Sequence, residues 1–164
     1  MENFIKENIS LVNKSDYSEQ NNLSKIYRIF LEKNFDQVIY LSSVQIYKKK
    51  TTGYFYEEGD EISTNTNYSR GKAEREEITL SSRKGCVLRL SNVYGKGMKN
   101  NLFSDIRDEI LLKGKKISIR NFNSIADFIF IDDVVESIYK LIDLDMNGLY
   151  NLSIVNKISP MFLY

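Results

Sequence analysis

Tyr68 and Lys72 place a phenol and an ammonium four residues apart in a segment that predicts a helix. On a helix, residues at i and i+4 share one face, with their Cβ atoms about 5–6 Å apart. At an effective dielectric near 20, a cation about 6 Å away favours a phenolate by roughly 3 kcal/mol. We therefore expect Lys72 to lower the pKa of Tyr68, which could then act as a general base near neutral pH.

The spacing alone is weak evidence, because a chain with 11 tyrosines and 23 basic residues contains about one or two such pairs by chance. Taken alone, the pair is best interpreted as solvent-facing. The surrounding sequence changes this interpretation, since Ser42 and Ser43 end one apolar run upstream and Ser91 and Asn92 follow another downstream. Ligands bind at the carboxyl ends of the strands in open parallel sheets, so these side chains are candidates for one site.

Helices and strands alternate along the chain. Residues 37–41 and 86–90 are continuous apolar runs, typical of strands buried on both faces. Amphipathic helices are predicted at 21–33, 67–81, 101–112 and 132–144, and short strands at 117–119, 128–131 and 148–152. The first helix has its apolar positions at Leu23, Ile26, Tyr27, Phe30 and Leu31. Asp132 and Asp133 are interpreted as an N-cap, and the alternation predicts a parallel α/β sheet.

Composition excludes several kinds of chemistry. The 164 residues are enough for one ordinary domain, and they contain no histidine, so neither a Ser-His-Asp triad nor a His-ligated zinc site can exist. The single cysteine, Cys86, lies in an apolar run and is expected to be a buried, inert thiol. The net charge of +1 gives no support for a nucleic-acid partner. Without an apolar segment of about 20 residues or a signal peptide, no membrane association and a cytoplasmic location are expected.

Four sequence blocks, in this order, resemble the extended short-chain dehydrogenase/reductases, the NAD-dependent epimerase/dehydratase family of UDP-galactose 4-epimerase-like enzymes. They are Ser42-Ser43-x-x-x-Tyr47, Tyr68-x-x-x-Lys72, Leu88-Arg89-x-x-Asn92-x-x-Gly95 and Asp127-Phe128-x-x-x-x-Asp133-Val134. Each block is weak singly, but four in the family's order, over about residues 20–160, make coincidence a poor explanation.

The resemblance implies NAD or NADP as the cofactor and a nucleotide-sugar as the substrate. It implies that Tyr68 is the base that takes a proton from a sugar hydroxyl as hydride passes to the nicotinamide. Lys72 would hold the cofactor ribose and Ser43 would hydrogen-bond the reacting oxygen, so that all three residues also contact the cofactor. Further residues are implicated by their positions: Asn22, or Asn21 one residue earlier, and Ser91 near the cofactor, and Asn92 at the nucleotide-sugar.

The chain departs from the family pattern at three points. Dehydratases of this class place an Asp-Glu pair directly after the catalytic hydroxyl residue, where this chain has Val44 and Gln45, so an epimerase or keto-sugar reductase is favoured. The family usually carries Arg before the Asp-Phe block to grip the nucleotide diphosphate, and Ala126 stands there instead. No strand–Gly-x-x-Gly-x-x-Gly–helix segment occurs, so the chain is interpreted as truncated at both ends.

The predicted fold is therefore α/β, a partial Rossmann-like parallel sheet with flanking helices that lacks the N-terminal dinucleotide-binding βαβ half. Residues 1–164 would form a single partial domain, with a catalytic Rossmann portion at about 17–95 and an incomplete substrate-binding lobe at about 96–164. The predicted function is the catalytic portion of an NAD(P)-dependent nucleotide-sugar epimerase or keto-sugar reductase, with a homodimer as one possible assembly and cofactor binding by this chain alone in doubt. A non-catalytic remnant or binding module of the same fold is the alternative, and an unrelated α/β protein would require all four blocks to be coincidental.

Overall fold

The computed structural model describes residues 17–33, 35–50, 55–96, 126–154 and 157–158. Its first elements are α1 (Tyr17–Leu31), β1 (Val38–Ser43), a 3₁₀ turn (Val44–Ile46), α2 (Asn67–Leu80) and β2 (Gly85–Leu90). They are followed by β3 (Asn92–Tyr94), β4 (Ala126–Phe130), α3 (Ile131–Asp143), β5 (Gly148–Leu152) and β6 (Lys157–Ile158). The predicted helix at 101–112 and strand at 117–119 lie outside the described residues. The predicted division of the chain near residue 95 stays a prediction.

A parallel sheet carries the site. Its strand order is β1-β2-β5, with Val38 opposite Gly85 and Cys86 opposite Gly148. A second, small sheet has the order β3-β4-β6, in which β3 and β4 are parallel and β4 and β6 antiparallel. The predicted α/β class and parallel pairing are confirmed.

The central strand β2 is buried along all six residues, as expected for a strand covered on both faces. Successive side chains alternate between the faces. Leu88 and Leu90 join a core cluster with Val134 of α3, whereas Arg89 points the other way and binds Glu76 of α2. Cys86 is fully buried and burial raises the pKa of its thiol, which fits an inert cysteine. The helices α1 and α2 therefore cover one face and α3 the other.

The helix α2 begins where its sequence supplies a cap. Thr66 accepts a hydrogen bond from the backbone N–H of Ser69 at 3.1 Å, and the Ser69 hydroxyl accepts one from the backbone N–H of Thr66 at 3.2 Å. This reciprocal capping box satisfies two amide groups at the start of the helix and fixes the position of the residues that follow. Tyr68 is thus held on a well-defined first turn, and Lys72 lies on the turn that follows.

The packing of α1 differs from the prediction. The helix begins at Tyr17, four residues before the predicted start at Asn21. Its first turn is mostly polar, so the sequence shows no apolar periodicity there that would indicate a helix. Its contact with α2 is made by polar groups: Ser24 is 1% exposed, and the Tyr27 hydroxyl lies 2.7 Å from Thr79 Oγ1. Several of the predicted apolar positions face solvent instead, and Ile26 is 63% exposed.

The expected N-cap of α3 is also wrong. The N-cap position is Phe130, which makes no side-chain capping hydrogen bond. Asp132 and Asp133 lie two and three residues further, inside the first turn, where their charge interacts favourably with the positive end of the helix dipole. Gly95 packs against the start of this helix so closely that an added Cβ would lie 2.3 Å from the Ile131 Cγ2. Among the described helices, none is both long enough and apolar enough to span a membrane.

Candidate active site

Ser43 is the last residue of β1 and caps the 3₁₀ turn that follows. Its Oγ accepts a hydrogen bond from the Gln45 backbone N–H at 3.2 Å, with the Ser43 backbone still extended. In the parallel register Ser43 lies beside Leu90, the last residue of β2. The strand ends bearing Ser43 and Ser91 therefore meet at one edge of the sheet, as the sequence predicts.

Tyr68 lies on the first turn of α2 and reaches this edge. Burial raises the pKa of Tyr68 above its usual value, while the neighbouring Ser43 side chain and the Arg75 charge act in the opposite direction. The phenol and the serine hydroxyl thus lie near each other at the end of a parallel strand, where a ligand oxygen could contact both.

Lys72 follows one turn later and is 5% exposed. Its Nζ donates to the Leu41 carbonyl at 2.8 Å and lies 5.1 Å from the centre of the Tyr40 ring and 5.9 Å from that of Tyr68. Burial, with help from the Arg75 charge and against the attraction of Glu76, lowers the pKa of Lys72 to about 8. The ammonium is held inside the protein by one carbonyl and two aromatic rings.

The expected effect of Lys72 on the pKa of Tyr68 is wrong for the free site. We expected a neighbouring ammonium to lower that pKa, yet burial dominates and raises it. A partly solvated pair would behave as expected, but Lys72 is buried and Tyr68 is half-buried. The positive charge that favours a Tyr68 phenolate belongs to Arg75, which the sequence argument did not use.

Ser91 and two other buried polar groups could receive a ligand. Ser91 is buried, and its backbone N–H donates to the Leu152 carbonyl at 3.1 Å. The hydroxyls of Ser91 and Ser42 and one carboxylate oxygen of Asp127 have no hydrogen-bond partner within the described part of the chain. Buried polar groups in proteins are nearly always satisfied. A polar ligand that reaches Ser91 would supply a partner, so the residues present fit a cofactor at this edge.

Asn92 is turned towards the strand beside it. Its side-chain amide donates to the Asp127 carbonyl at 2.9 Å, and its Oδ1 lies 3.5 Å from the Gln45 side-chain nitrogen. Asn92 and Gln45 thus adjoin Ser43 on the open side of the site. The predicted contact of Asn92 with a nucleotide-sugar stays a prediction.

Asn22 lies apart from this group. It is exposed on α1, and no described hydrogen bond joins it to Ser43, Tyr68 or Lys72. Ser24 of α1 does reach the site region, and its Oγ accepts a hydrogen bond from Arg75 at 3.2 Å. The predicted cofactor contact of Asn22 also stays a prediction.

Sequence reasoning missed Arg75 and Tyr40. Arg75 is 4% exposed, and its Nε donates to the Tyr40 hydroxyl at 2.9 Å. Lys72 and Arg75 both lie over the Tyr40 ring, at 5.1 Å and 6.0 Å from its centre. A helical spacing of seven residues puts Arg75 on the same face as Tyr68, and this was the available signal.

Arg89 links the loop after β1 to the sheet. Its guanidinium forms two hydrogen bonds to the Glu76 carboxylate, at 3.1 and 2.7 Å, and a third to the Glu58 carbonyl at 3.2 Å. It also lies 4.6 Å from the centre of the Tyr47 ring, which stacks on Tyr56. The Arg89 side chain therefore connects α2, β2 and the loop that leads from Ser43 to Tyr68.

The fold and these contacts together define a class of protein: a Rossmann-like α/β chain with a Tyr-x-x-x-Lys helix against a serine at a strand end. The chain belongs to the NAD dependent epimerase/dehydratase family, whose model matches residues 10–153. No curated protein matches the chain at a significant level. No group of three or more Asp, Glu or Cys residues that could hold a metal ion is found in the described ranges.

Solved structures share the fold at low sequence identity. TunA, an NAD dependent NDP-hexosamine 5,6-dehydratase involved in tunicamycin biosynthesis, superposes with a TM-score of 0.77 at 18% identity, covering 90% of this chain and 54% of that protein. UDP-N-acetylglucosamine 4-epimerase from Bacillus cereus gives 0.72 at 21%, covering 92% and 57%. UDP-glucuronic acid 4-epimerase from Bacillus cereus, in complex with UDP-glucuronic acid and NAD, gives 0.72 at 19%, covering 84% and 47%. The chain spans about half the length of these proteins.

Proposed function

We propose that this chain supplies the catalytic portion of an NAD(P)-dependent nucleotide-sugar epimerase or keto-sugar reductase. The observation that carries the proposal is the placement of Tyr68 beside Ser43 at a strand end, with Lys72 buried one turn away and its Nζ 5.9 Å from the centre of the Tyr68 ring. Membership of the epimerase/dehydratase family supports it, as does the fold shared with epimerases that act on UDP-sugars.

Tyr68 and Ser43 would handle the proton of a sugar hydroxyl. Since burial raises the pKa of Tyr68, the free site holds this phenol protonated at neutral pH. A substrate oxygen hydrogen-bonded to both hydroxyls could exchange its proton with the phenol oxygen, while Ser43 keeps that oxygen in place. A bound nicotinamide would supply the hydride chemistry.

Lys72 and Ser91 are the residues proposed to hold the cofactor. With a pKa of about 8, the Lys72 amine is mostly protonated at pH 7 and has hydrogens besides the one donated to Leu41. The Ser91 hydroxyl is buried and open to a partner. NAD is present in the UDP-glucuronic acid 4-epimerase that shares this fold.

An epimerase or reductase is proposed in preference to a 4,6-dehydratase. The residues directly after Ser43 are Val44 and Gln45, and Gln45 is engaged with Asn92. Neither side chain can transfer a proton at neutral pH. Removal of water from a sugar would need an acid and a base beside the substrate, and Val44 and Gln45, the two residues directly after Ser43, supply neither.

An epimerisation assay tests the proposal. The chain is incubated with NAD and either UDP-N-acetylglucosamine or UDP-glucuronic acid, and the 4-epimer is quantified by chromatography. We expect turnover that Tyr68→Phe lowers by about a hundredfold or more, because a positioned acid–base group contributes roughly 10²–10⁴-fold. Tyr139→Phe, which alters an exposed tyrosine on α3, is the matched control and should leave the rate unchanged. A non-catalytic binding module would show sugar-nucleotide or cofactor binding without product in any variant.

A homodimer is proposed through the exposed face of α1. Ile26 and Ile29 are both 63% exposed there, one helical turn apart, and such an apolar strip is stabilised when a second copy covers it. Sedimentation equilibrium should show a dimer that Ile26→Glu converts to a monomer; a monomeric wild-type chain would contradict this.

The cytoplasmic location stays a prediction, which a fluorescent fusion would test.

A further inference from the structure

Arg75 is a buried cation that the proposed reaction does not use directly. It lies on α2 three residues after Lys72 and seven after Tyr68, so all three side chains share the face that packs against β1. Its guanidinium donates to the Tyr40 hydroxyl of β1 at 2.9 Å and to Ser24 Oγ of α1 at 3.2 Å. Two neighbouring elements therefore fix the position of this charge.

The Tyr40 ring lies close to both cations. The Lys72 ammonium lies 5.1 Å and the Arg75 guanidinium 6.0 Å from the centre of the same ring. The face of an aromatic ring attracts cations, most strongly where water is excluded. Like charges repel in a medium of low dielectric, so each of these two cations affects how readily the other group holds its proton.

We propose that Arg75 is a positioning residue of the candidate site: anchored by Tyr40 and Ser24, it keeps a permanent positive charge beside Tyr68 and Lys72 and so sets the protonation state in which the site works. This inference rests on the proposed function, because it assigns to Arg75 the control of the groups that the proposed reaction uses. Arginine suits the task, since it stays protonated at all relevant pH values.

The other charged groups near the pair do not replace this charge. From β1, Tyr40 faces the pair, and burial raises its pKa, so it is neutral. From α1, Tyr27 is likewise held neutral by burial, which raises its pKa. From α2, Glu76 attracts Lys72, but it is bound to Arg89 of β2 by two hydrogen bonds. The Arg75 charge lowers the pKa of both Tyr68 and Lys72.

Titration of Tyr68 and Lys72 in the cofactor-free chain tests the inference. Tyrosine labelled at Cζ and lysine labelled at Cε are followed by ¹³C NMR, with Tyr68→Phe and Lys72→Met assigning the two signals. With Arg75→Gln we expect both midpoints to rise by about half a pH unit or more, since nearby charges shift such groups by one to three units. Arg75→Lys keeps the charge and is the matched control, with both midpoints expected close to those of the wild type.

A purely structural role of Arg75 predicts a different pattern. Looser packing would let water reach both groups, which raises the Lys72 midpoint but lowers the Tyr68 midpoint towards its ordinary value. A falling or unchanged Tyr68 midpoint in Arg75→Gln would therefore overturn the inference. If Arg75→Gln does not fold, Tyr40→Phe removes the oxygen that anchors the guanidinium, and the Tyr68 and Lys72 midpoints should both rise by a smaller amount. A Tyr68 midpoint that does not rise in Tyr40→Phe would also overturn the inference. These titrations require no turnover, so their outcome is separate from that of the epimerisation assay.

Discussion

At the scale of single residues, the burial of Lys72 is the most consequential feature. A lysine that loses its hydration holds its proton less tightly, and the Leu41 carbonyl and the Tyr40 ring compensate only in part. The pKa of about 8 leaves Lys72 near its titration range at physiological pH. A buried lysine in this condition is typical of functional sites, because a folded protein gains little stability from it.

The burial of Lys72 predicts a pH-dependent stability difference. Its pKa is about 8 in the folded chain and near the ordinary 10.5 when unfolded. Between these two pH values the unfolded chain holds a proton that the folded chain has released. The free energy of unfolding therefore increases as the pH rises. Relative to Lys72→Met, the wild type should therefore become more stable by roughly 3 kcal/mol from below pH 8 to above pH 10.5.

Urea denaturation of both proteins across this pH range measures the difference. Contributions from the buried tyrosines largely cancel, because both proteins contain them. Stability curves that run parallel for the two proteins would show that Lys72 keeps an ordinary pKa. If the stability of the wild type instead falls relative to Lys72→Met as the pH rises, the amine gains a favourable partner on folding.

The spacing of Tyr68 and Lys72 and the strand ends at Ser43 and Ser91 were predictable from sequence, because they depend on local periodicity. The contact of Arg75 with Tyr40 was not, since it joins a helix to a strand 35 residues away. The direction of the Tyr68 pKa shift also could not be predicted, because burial depends on how α1 and the sheet enclose the pair.

At the scale of elements, the ion pair between Arg89 and Glu76 joins β2 to α2. Both side chains are 5% exposed, and the contact has the two-pronged geometry that arginine and carboxylate favour. Arg89 also holds the loop through the Glu58 carbonyl. The pair therefore aligns the helix that carries Tyr68 with the strand that leads to Ser91.

Removal of one partner of this pair should be costly. We expect Arg89→Met to lower the free energy of unfolding by about 3–5 kcal/mol, because it leaves the Glu76 carboxylate buried without its partner. The double variant Glu76→Met/Arg89→Met should lose less than Arg89→Met alone, since no unpaired charge remains. Chemical denaturation of both variants measures this, and equal losses in the single and double variants would contradict the account.

Gly85 sets the close approach between the end of α2 and the start of β2. A Cβ at this position would lie 1.7 Å from the Thr79 carbonyl oxygen, so Gly85→Ala requires backbone movement. We expect a loss of about 1–3 kcal/mol. Gly59→Ala is the matched control, because an added Cβ there meets nothing within 4 Å. Thermal unfolding should separate the two variants, and an unaffected Gly85→Ala would show that this junction is not tightly packed.

The elements could be predicted more fully than their packing. The period and composition of the sequence place β5 at its observed residues and α2 and β2 within a residue or so, because caps and apolar runs mark their ends. The exposed face of α1 could not be foreseen, since its apolar residues suggest burial while its actual contact with α2 uses Ser24 and Tyr27.

At the scale of the whole molecule, the parallel order β1-β2-β5 brings the functional residues to one sheet edge. The sequence indicated a parallel sheet but not this strand order, because the order depends on which strands pair across the sheet. The chain spans about half the length of the solved structures that share its fold. The central proposal is that the Ser43, Tyr68 and Lys72 arrangement binds a nicotinamide cofactor.

Titration of the chain with NADH, followed by the fluorescence of the dinucleotide, tests this claim most directly, and NADPH is titrated in parallel. The account predicts saturable binding of at least one of them, weakened about tenfold or more by Lys72→Met, which removes a charged hydrogen-bond donor. Lys25→Met, on the exposed side of α1, should bind like the wild type. No saturable binding up to millimolar dinucleotide, or equal affinity in Lys72→Met, would contradict the account.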